Sequence, residues 1–290
     1  MSVTSLRAER PRGRVSSGLF KAFLLLSIGV GIVTLGTLLV TVVAKGYKYL
    51  DVVLLLEPPS ADPQIAGARP AILATIYLGL LLIAFSVPIG VGTAVYLEEY
   101  ANRDRWYNRL LEVNIQNLAA VPSIVYGILG LAFLVRGIGL GRVLLAGAMI
   151  LTLVVLPTVI IAAREAIRAV PGSIRQGAYA LGATQWQVIW RQVLPAAAPG
   201  IATGTILALS RGLGETAPLL LVGALTYVSF NPTLLGDFTA LPIQIYQWIS
   251  RPQDEFRGPL AAAGIVVLLA ILLSLNAVAI WVRNRYQRRW

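Results

Sequence analysis

The sequence predicts an all-α membrane protein of six transmembrane helices with both termini in the cytoplasm. Three observations predict it. Hydrophobic residues make up 57% of the 290 and charged residues only 13%, with a mean hydropathy of +0.75, well outside the range of soluble domains. Six stretches, at about 20–44, 71–97, 115–135, 143–163, 199–225 and 259–282, supply the roughly 20 apolar residues that a hydrocarbon core requires. The N-terminus through Lys21, the 98–114 and 164–198 loops and the C-terminal tail hold five, three, four and four Lys or Arg, against seven in all the opposite loops. The positive-inside rule therefore puts both termini in the cytoplasm.

Absences narrow the chemistry. There is no Cys and no His, which excludes thiol nucleophiles, imidazole bases, disulfides and His/Cys metal sites. The three lysines, Lys21, Lys45 and Lys48, follow Phe20, Ala44 and Tyr47, so none completes the Gly-Lys pair of a phosphate-binding P-loop. No cofactor is expected on this chain. The net charge of +11 would suggest nucleic acid in a soluble protein. Here most Arg residues flank apolar runs and read as topology signals beside a lipid bilayer, with no nucleic-acid partner.

The elements follow in order. A basic N-terminal tail, residues 1–19 with Arg7, Arg10, Arg12 and Arg14, precedes a run from Phe20 to Ala44. That run is too long for the apolar region of a signal peptide and predicts an uncleaved first helix. The outer loop 45–70 is polar and Pro-rich at Pro58, Pro59 and Pro63. Pro88, Pro122 and Pro157 fall inside the next three spans, where proline frees a carbonyl and kinks a helix. The outer loop 226–259 contains LPIQIYQWIS, an amphipathic piece expected to lie at the interface as a short helix anchored by Tyr246 and Trp248. The last span leads into the cytoplasmic tail 283–290.

One inner loop, 164–198, is long enough for structure of its own. Ser173 with Gln176 predicts a capping box opening a short helix after Pro171, and Gly182 stops it as a left-handed residue. Thr184 with Gln187 predicts a second box, and Pro195 the end of the second helix. The first helix would expose Ala178, Ala180 and Ala183 around Tyr179 and Leu181. Such a surface suits a groove on another protein, or equally a hairpin lying on lipid headgroups.

The fifth span, LALSRGLGETAPLLLVGA, carries Arg211 and Glu215 in its middle. Four residues apart, they share a helix face and can pair. Charges at mid-bilayer cost roughly 2.5 to 3.5 kcal/mol each, so such residues face a bundle interior or a water-filled path. Gly200, Gly204, Ala208 and Gly212 form a small-residue stripe on an adjacent face, predicting close approach to a neighbouring helix. Pro218 leaves the Gly214 carbonyl without its donor, and Thr216 adds a hydroxyl. The pair is either a structural salt bridge or an anion station, since arginine's forked donors suit phosphate oxygens. No second carboxylate or Lys lies near Glu215, so the parts for catalysis are lacking. No internal repeat supports a secondary transporter.

The spacing of Ala178, Gly182 and Leu194-Pro195 resembles the EAA loop of membrane subunits of bacterial ABC importers. Gln176-Gly177-Ala178 stands where that family has Glu-Ala-Ala, and Gln192 where it has an aliphatic residue. YALGATQWQVIWRQVLPAAAPGI, VPSIVYGILGLAF and SRGLGETAPLLLVGA are similar to one branch of it, the phosphate-specific transport permeases, and the LPIQIYQWI loop resembles the PstA partner more than the PstC partner. The resemblance implies a type I ABC importer (MetI-like) bundle in the bacterial inner membrane, with a five-helix core at 70–282 after the first helix. It implies a PstC-type permease as heterodimer partner, two copies of a PstB-type ATPase that carry the ATP and Mg, and a periplasmic phosphate-binding protein. Gln176, Gly177, Ala178, Tyr179, Ala180, Leu181, Gly182, Ala183 and Thr184 would be the coupling helix that docks on the ATPase. Arg211, Glu215 and Thr216 would line the phosphate path. Sulfate, molybdate or phosphonate importers share the elbow and stand as alternatives, though without the RGLGETAPLL segment.

Overall fold

The computed structural model describes residues 14–102, 104–224 and 227–286. The expected tail through residue 13 and the last four residues of the C-terminal tail lie outside them. The described residues are helical, apart from loops and one isolated antiparallel bridge between Val143 and Asp237. Five helices are long and apolar enough to cross a membrane, and there would be a sixth crossing if the bent pair at 106–137 is one span.

Helix α1 (Arg14–Gly46) stands at the edge of the bundle. It meets α12 (Ala261–Tyr286) and the π turn Phe256–Leu260 before it. Gly46 permits the crossing, since a Cβ there would lie 2.6 Å from the backbone nitrogen of Ala263. The hydroxyls of Ser27, Thr37 and Thr41 donate to carbonyls one turn back, at 2.9, 2.8 and 2.7 Å. Little polar surface is then left to oppose lipid. After it comes α2 (Val52–Leu56), capped by the Asp51 carboxylate accepting from the Leu54 amide.

The centre of the bundle is α3 (Arg69–Val95), α6 (Leu144–Arg168) and α9 (Leu194–Leu213). Leu78, Leu82, Leu151, Val155, Val159, Ala208, Leu209 and Leu213 form its buried core. The small-residue stripe finds its neighbour in α6. A Cβ on Gly200 would lie 2.8 Å from the Ala166 methyl, one on Gly204 would overlap Ala162, and one on Gly212 would meet Val155 and Leu82. The α9 residues ascend as their α6 partners descend, so the two helices run antiparallel with backbones close together.

Four expectations are corrected. The stretch 115–135 is not one crossing helix: α4 (Trp106–Ala120) and α5 (Ser123–Gly130), the latter continued by a π turn over Leu131–Gly137, meet at 104°. Proline disfavours helical backbone in the residue before it, and Val121 is extended at φ −68° and ψ 131°. The stretch 199–225 is also broken, because α9 ends at Leu213 and α10 (Ala217–Val222) begins only after Thr216. Gly214 and Glu215 donate to carbonyls three residues back, which tightens the end of α9, and Pro218 sits in the first turn of α10, where its missing N–H costs nothing.

Pro195, by contrast, ends nothing. From α8 (Gln185–Val188) through a π turn at Ile189–Val193 into α9, one helix runs from Gln185 to Leu213. The Leu194 amide reaches back to the Ile189 carbonyl, and this widened turn absorbs the donor that proline lacks. Finally, α11 (Leu241–Ile249) is the expected short helix, but Trp248 is fully buried rather than interfacial. It packs in a cluster with Leu54, Ala71, Phe256 and Leu260, and Gly264 leaves room for its ring. Tyr246 and Ile249 stay exposed. Leu241, Ile245 and Trp248 fall on one face at spacings of four and three, and α12 offers them an apolar surface to cover.

Candidate functional site

The two breaks meet. Glu215, in the gap between α9 and α10, accepts a hydrogen bond on Oε2 from the Ser123 hydroxyl at 2.8 Å, at the start of α5. Beside this contact α5 and α10 pack closely, with a Cβ on Gly127 placed 2.8 Å from Pro218 Cα. Arg211 lies in the last turn of α9, its Nε 3.7 Å from Glu215 Oε1, and its side chain is 64% exposed against 22% for Glu215. At that separation the pair is electrostatic contact without a hydrogen bond, and an exposed pair of this kind contributes at most about 1 kcal/mol. Arg211 is thus mostly exposed, and its guanidinium has no hydrogen-bond partner among the described residues. Thr216 precedes α10 without a side-chain cap, and its carbonyl accepts from the Leu220 amide. Ser123 was missed by sequence reasoning; its signal was a hydroxyl directly after the proline of a break.

The 164–198 loop forms the expected elbow. Helix α7 (Gly172–Ala180) has no buried side chain. It closes with the Gly182 amide donating to the Tyr179 carbonyl and the Ala183 amide to the Ala178 carbonyl. Gly182 takes φ +79°, the left-handed position of this closure. The Thr184 and Gln187 capping box is present. The Ser173 and Gln176 box is not: the helix starts one residue earlier, after Pro171, so Ser173 lies inside the first turn. Leu181 is 90% exposed at the tip, with Gln176, Gly177, Tyr179 and Ala180 also outward. Ala178 and Ala183 instead turn partly inward toward Val188, Val193 and Ile167, and line a groove of about 480 Å³ beside Ile174, Leu181 and Gln187.

What holds the elbow is a set of ion pairs that the sequence reading used only as topology signals. A π turn, Tyr96–Tyr100, continues α3 and carries Glu98 and Glu99. Glu98 Oε1 accepts from Arg164 Nε and Arg168 Nη2, each at 2.9 Å, and Arg164 Nη2 donates to Glu112 at 2.7 Å. Glu99 Oε1 accepts from Arg175 Nη2 at 2.7 Å and Nε at 3.1 Å. Arg175 also donates to the Val170 and Ile167 carbonyls at 2.7 and 3.0 Å. The Val170 carbonyl lies just past the end of α6, where helical donors run out, and the Ile167 carbonyl accepts from the Val170 amide as well. Gln185 Nε2 donates to the Glu99 backbone carbonyl at 2.6 Å. The Glu98, Glu99 and Arg164 side chains are 4%, 6% and 8% exposed.

Comparison with known proteins agrees with this architecture. The family model for binding-protein-dependent transport system inner membrane components matches residues 86–290. The phosphate transport system permease protein PstA of Mycobacterium leprae is 31% identical over 274 residues, covering 93% of this chain and 88% of that protein. The protein of the same name from Xylella fastidiosa is 33% identical, covering 84% and 85%. Among solved structures, a bacterial alginate ABC transporter in complex with its alginate-bound periplasmic protein superposes with a TM-score of 0.66, at 18% identity over 96% of this chain and 99% of that one. The inward-facing MetNI methionine ABC transporter gives 0.60, at 18% identity over 77% and 95%. At such identity the likeness is one of fold. Together, the family match and the PstA relatives place this chain: it belongs to the inner membrane components of binding-protein-dependent transport systems.

Proposed function

We propose that this chain is one of two permease subunits of an ATP-driven phosphate importer, with Arg211 as a transient station for the anion. The observation that carries this reading is the loose Arg211–Glu215 contact at the meeting of two helix breaks, with Glu215 held aside by Ser123. A structural salt bridge would be short and enclosed. An exposed arginine that is only loosely paired instead suits a tetrahedral oxyanion. A transport station must bind firmly enough to admit its cargo and weakly enough to release it, and Glu215 offers Arg211 a competing partner as phosphate leaves. Thr216 adds a hydroxyl beside the same break.

Coupling follows from the elbow. In this reading the loop 164–198 lies in the cytoplasm, and α7 with Leu181 at its tip docks on one of two PstB-type ATPase subunits. Those subunits bind ATP and Mg and do the hydrolysis, while this chain is not catalytic. A PstC-type permease completes the path across from Arg211, and a periplasmic phosphate-binding protein delivers the ion. Residues 70–282 are the five-helix working core. Closure of the ATPase pair draws the elbows together and turns the bundle outward, a switch between two packings rather than a gradual deformation.

The test is reconstitution of the whole complex in proteoliposomes. Phosphate-loaded binding protein is expected to stimulate ATP hydrolysis and uptake. Arg211→Gln is expected to abolish uptake while assembly and basal hydrolysis persist. Loss of assembly in that variant would return the pair to a structural role, and stimulation by sulfate, molybdate or phosphonate in place of phosphate would overturn the cargo.

A further inference from the structure

The elbow raises a mechanical problem: α7 has no fully buried side chain and meets the core through partly buried ones such as Ile174 and Ala178, a slight packing with which to drag the membrane helices along when it is moved. We propose that the neighbouring carboxylates Glu98 and Glu99 are the joint that transmits movement of the elbow to the membrane core, Glu99 gripping the loop and Glu98 gripping α6. The proposal rests on the reading that α7 docks on an ATPase. Both are positioning residues, since neither touches the cargo.

Three features support the joint. First, Glu99 is engaged twice by the elbow, through its carboxylate to Arg175 and through its carbonyl to Gln185, one residue on each side of the Gly182 bend. Displacing either arm of the elbow pulls on the same point of the chain. Second, Arg175 joins Glu99 to the Ile167 and Val170 carbonyls, so α7, the end of α6 and the end of α3 share one guanidinium. Third, Glu98, the next residue back, binds Arg164 and Arg168 one turn apart on α6, and Arg164 extends the link to Glu112 on α4. Adjacent residues on a helix point about 100° apart, which lets consecutive glutamates reach two different elements.

The π turn matters as well. Tyr96–Tyr100 is the widened turn that ends α3, closed by the Ala101 amide donating to the Tyr96 carbonyl. Turns of this type appear where a helix is locally reshaped for function. From this turn the path continues through packed helices, α3 and α6 against each other and α6 against α9, and α9 carries Arg211 in its last turn. Movement at the elbow thus has a continuous route of buried ion pairs and close backbone contacts to the station. Glu165 is exposed and meets Arg168 at 3.2 Å, outside the pairs that Glu98 and Glu99 themselves make.

The complete complex, with both permeases and both ATPases in proteoliposomes, tests the joint by stimulated against basal ATP hydrolysis with and without phosphate-loaded binding protein. Glu99→Gln is expected to co-purify with the ATPase, keep basal hydrolysis, and lose stimulation by about tenfold or more, within the range of allosteric couplings. Glu165→Gln is expected to leave the ratio unchanged. An assembled Glu99→Gln complex that is still fully stimulated would overturn the joint, and so would a complex that loses its ATPase, which would make Glu99 a docking residue. Because the chain has no Cys, the double variant E99C/R175C offers a unique pair in this subunit. Bridging it with a short bifunctional maleimide should restore stimulation, and a bridged complex that stays unstimulated would also count against the joint. A wild-type complex that shows no stimulation at all would instead refute docking of the elbow itself.

Discussion

Ser123→Ala tests the division of labour at the helix breaks. In the structure the Ser123 hydroxyl donates to Glu215 Oε2 at 2.8 Å, while Arg211 stands 3.7 Å from Oε1. Removing the hydroxyl frees Glu215 to close on Arg211. A hydrogen bond to a charged group contributes about 1.5 to 3 kcal/mol, and the partial exposure of Glu215 puts this one at the low end, about 1.5 kcal/mol. If Glu215 becomes a stronger competitor for Arg211 by that amount, occupancy of the station by the anion falls about tenfold. The variant is expected to transport about tenfold more slowly at saturating loaded binding protein, with the half-saturating binding-protein concentration unchanged. The assay is uptake of labelled phosphate into proteoliposomes. A double-mutant cycle checks the route: because Ser123 acts only through Glu215, S123A/E215Q should turn over no more slowly than E215Q alone. Wild-type turnover in S123A, or additive losses in the double variant, would refute the reasoning.

The elbow and the helix contact give two further outcomes. Gly182→Leu places a branched side chain at φ +79°, a conformation costing roughly 1 to 2 kcal/mol without glycine, and should weaken co-purification of the ATPase; an unaltered complex would count against this docking surface. Leu181→Asp changes a fully solvated side chain, so it should leave the subunit's thermal stability alone and still cost the ATPase. Gly204→Leu forces atoms into Ala162 and should lower the midpoint of thermal unfolding in detergent, whereas Gly92→Ala, with open space around its Cβ position, should not lower it.

How much of this was legible in the sequence depended on how local each cause is. The left-handed glycine at 182 and the Thr184 box are set within five residues, and both appear as expected. The small-residue stripe announced a close contact, though only the fold names α6 as the partner. Prolines were less readable. Pro88 and Pro157 sit inside uninterrupted helices, Pro195 follows a π turn, and Pro122 makes a 104° corner. The residue type is the same each time, and the outcome is decided by what the freed carbonyls and neighbouring faces meet. The ion pairs of Glu98 and Glu99 join residues 66 to 76 positions apart along the chain, beyond the reach of any periodicity. Trp248 was placed at the interface because the partner surface on α12, with its gap at Gly264, becomes visible only once the helices are assembled.

The edge position of α1 bears on the thickness of the membrane it inhabits. Its apolar stretch from Ala22 to Val43 is about 33 Å long at 1.5 Å per residue, a few ångströms more than a hydrocarbon core of about 30 Å. A helix with that much surplus must tilt or thicken the lipid around it. Because α1 makes its main contacts with α12 and the turns at its far end, it can tilt with little direct pull on α3, α6 or α9. The helix is thus placed to take up its own hydrophobic mismatch at the perimeter of the bundle.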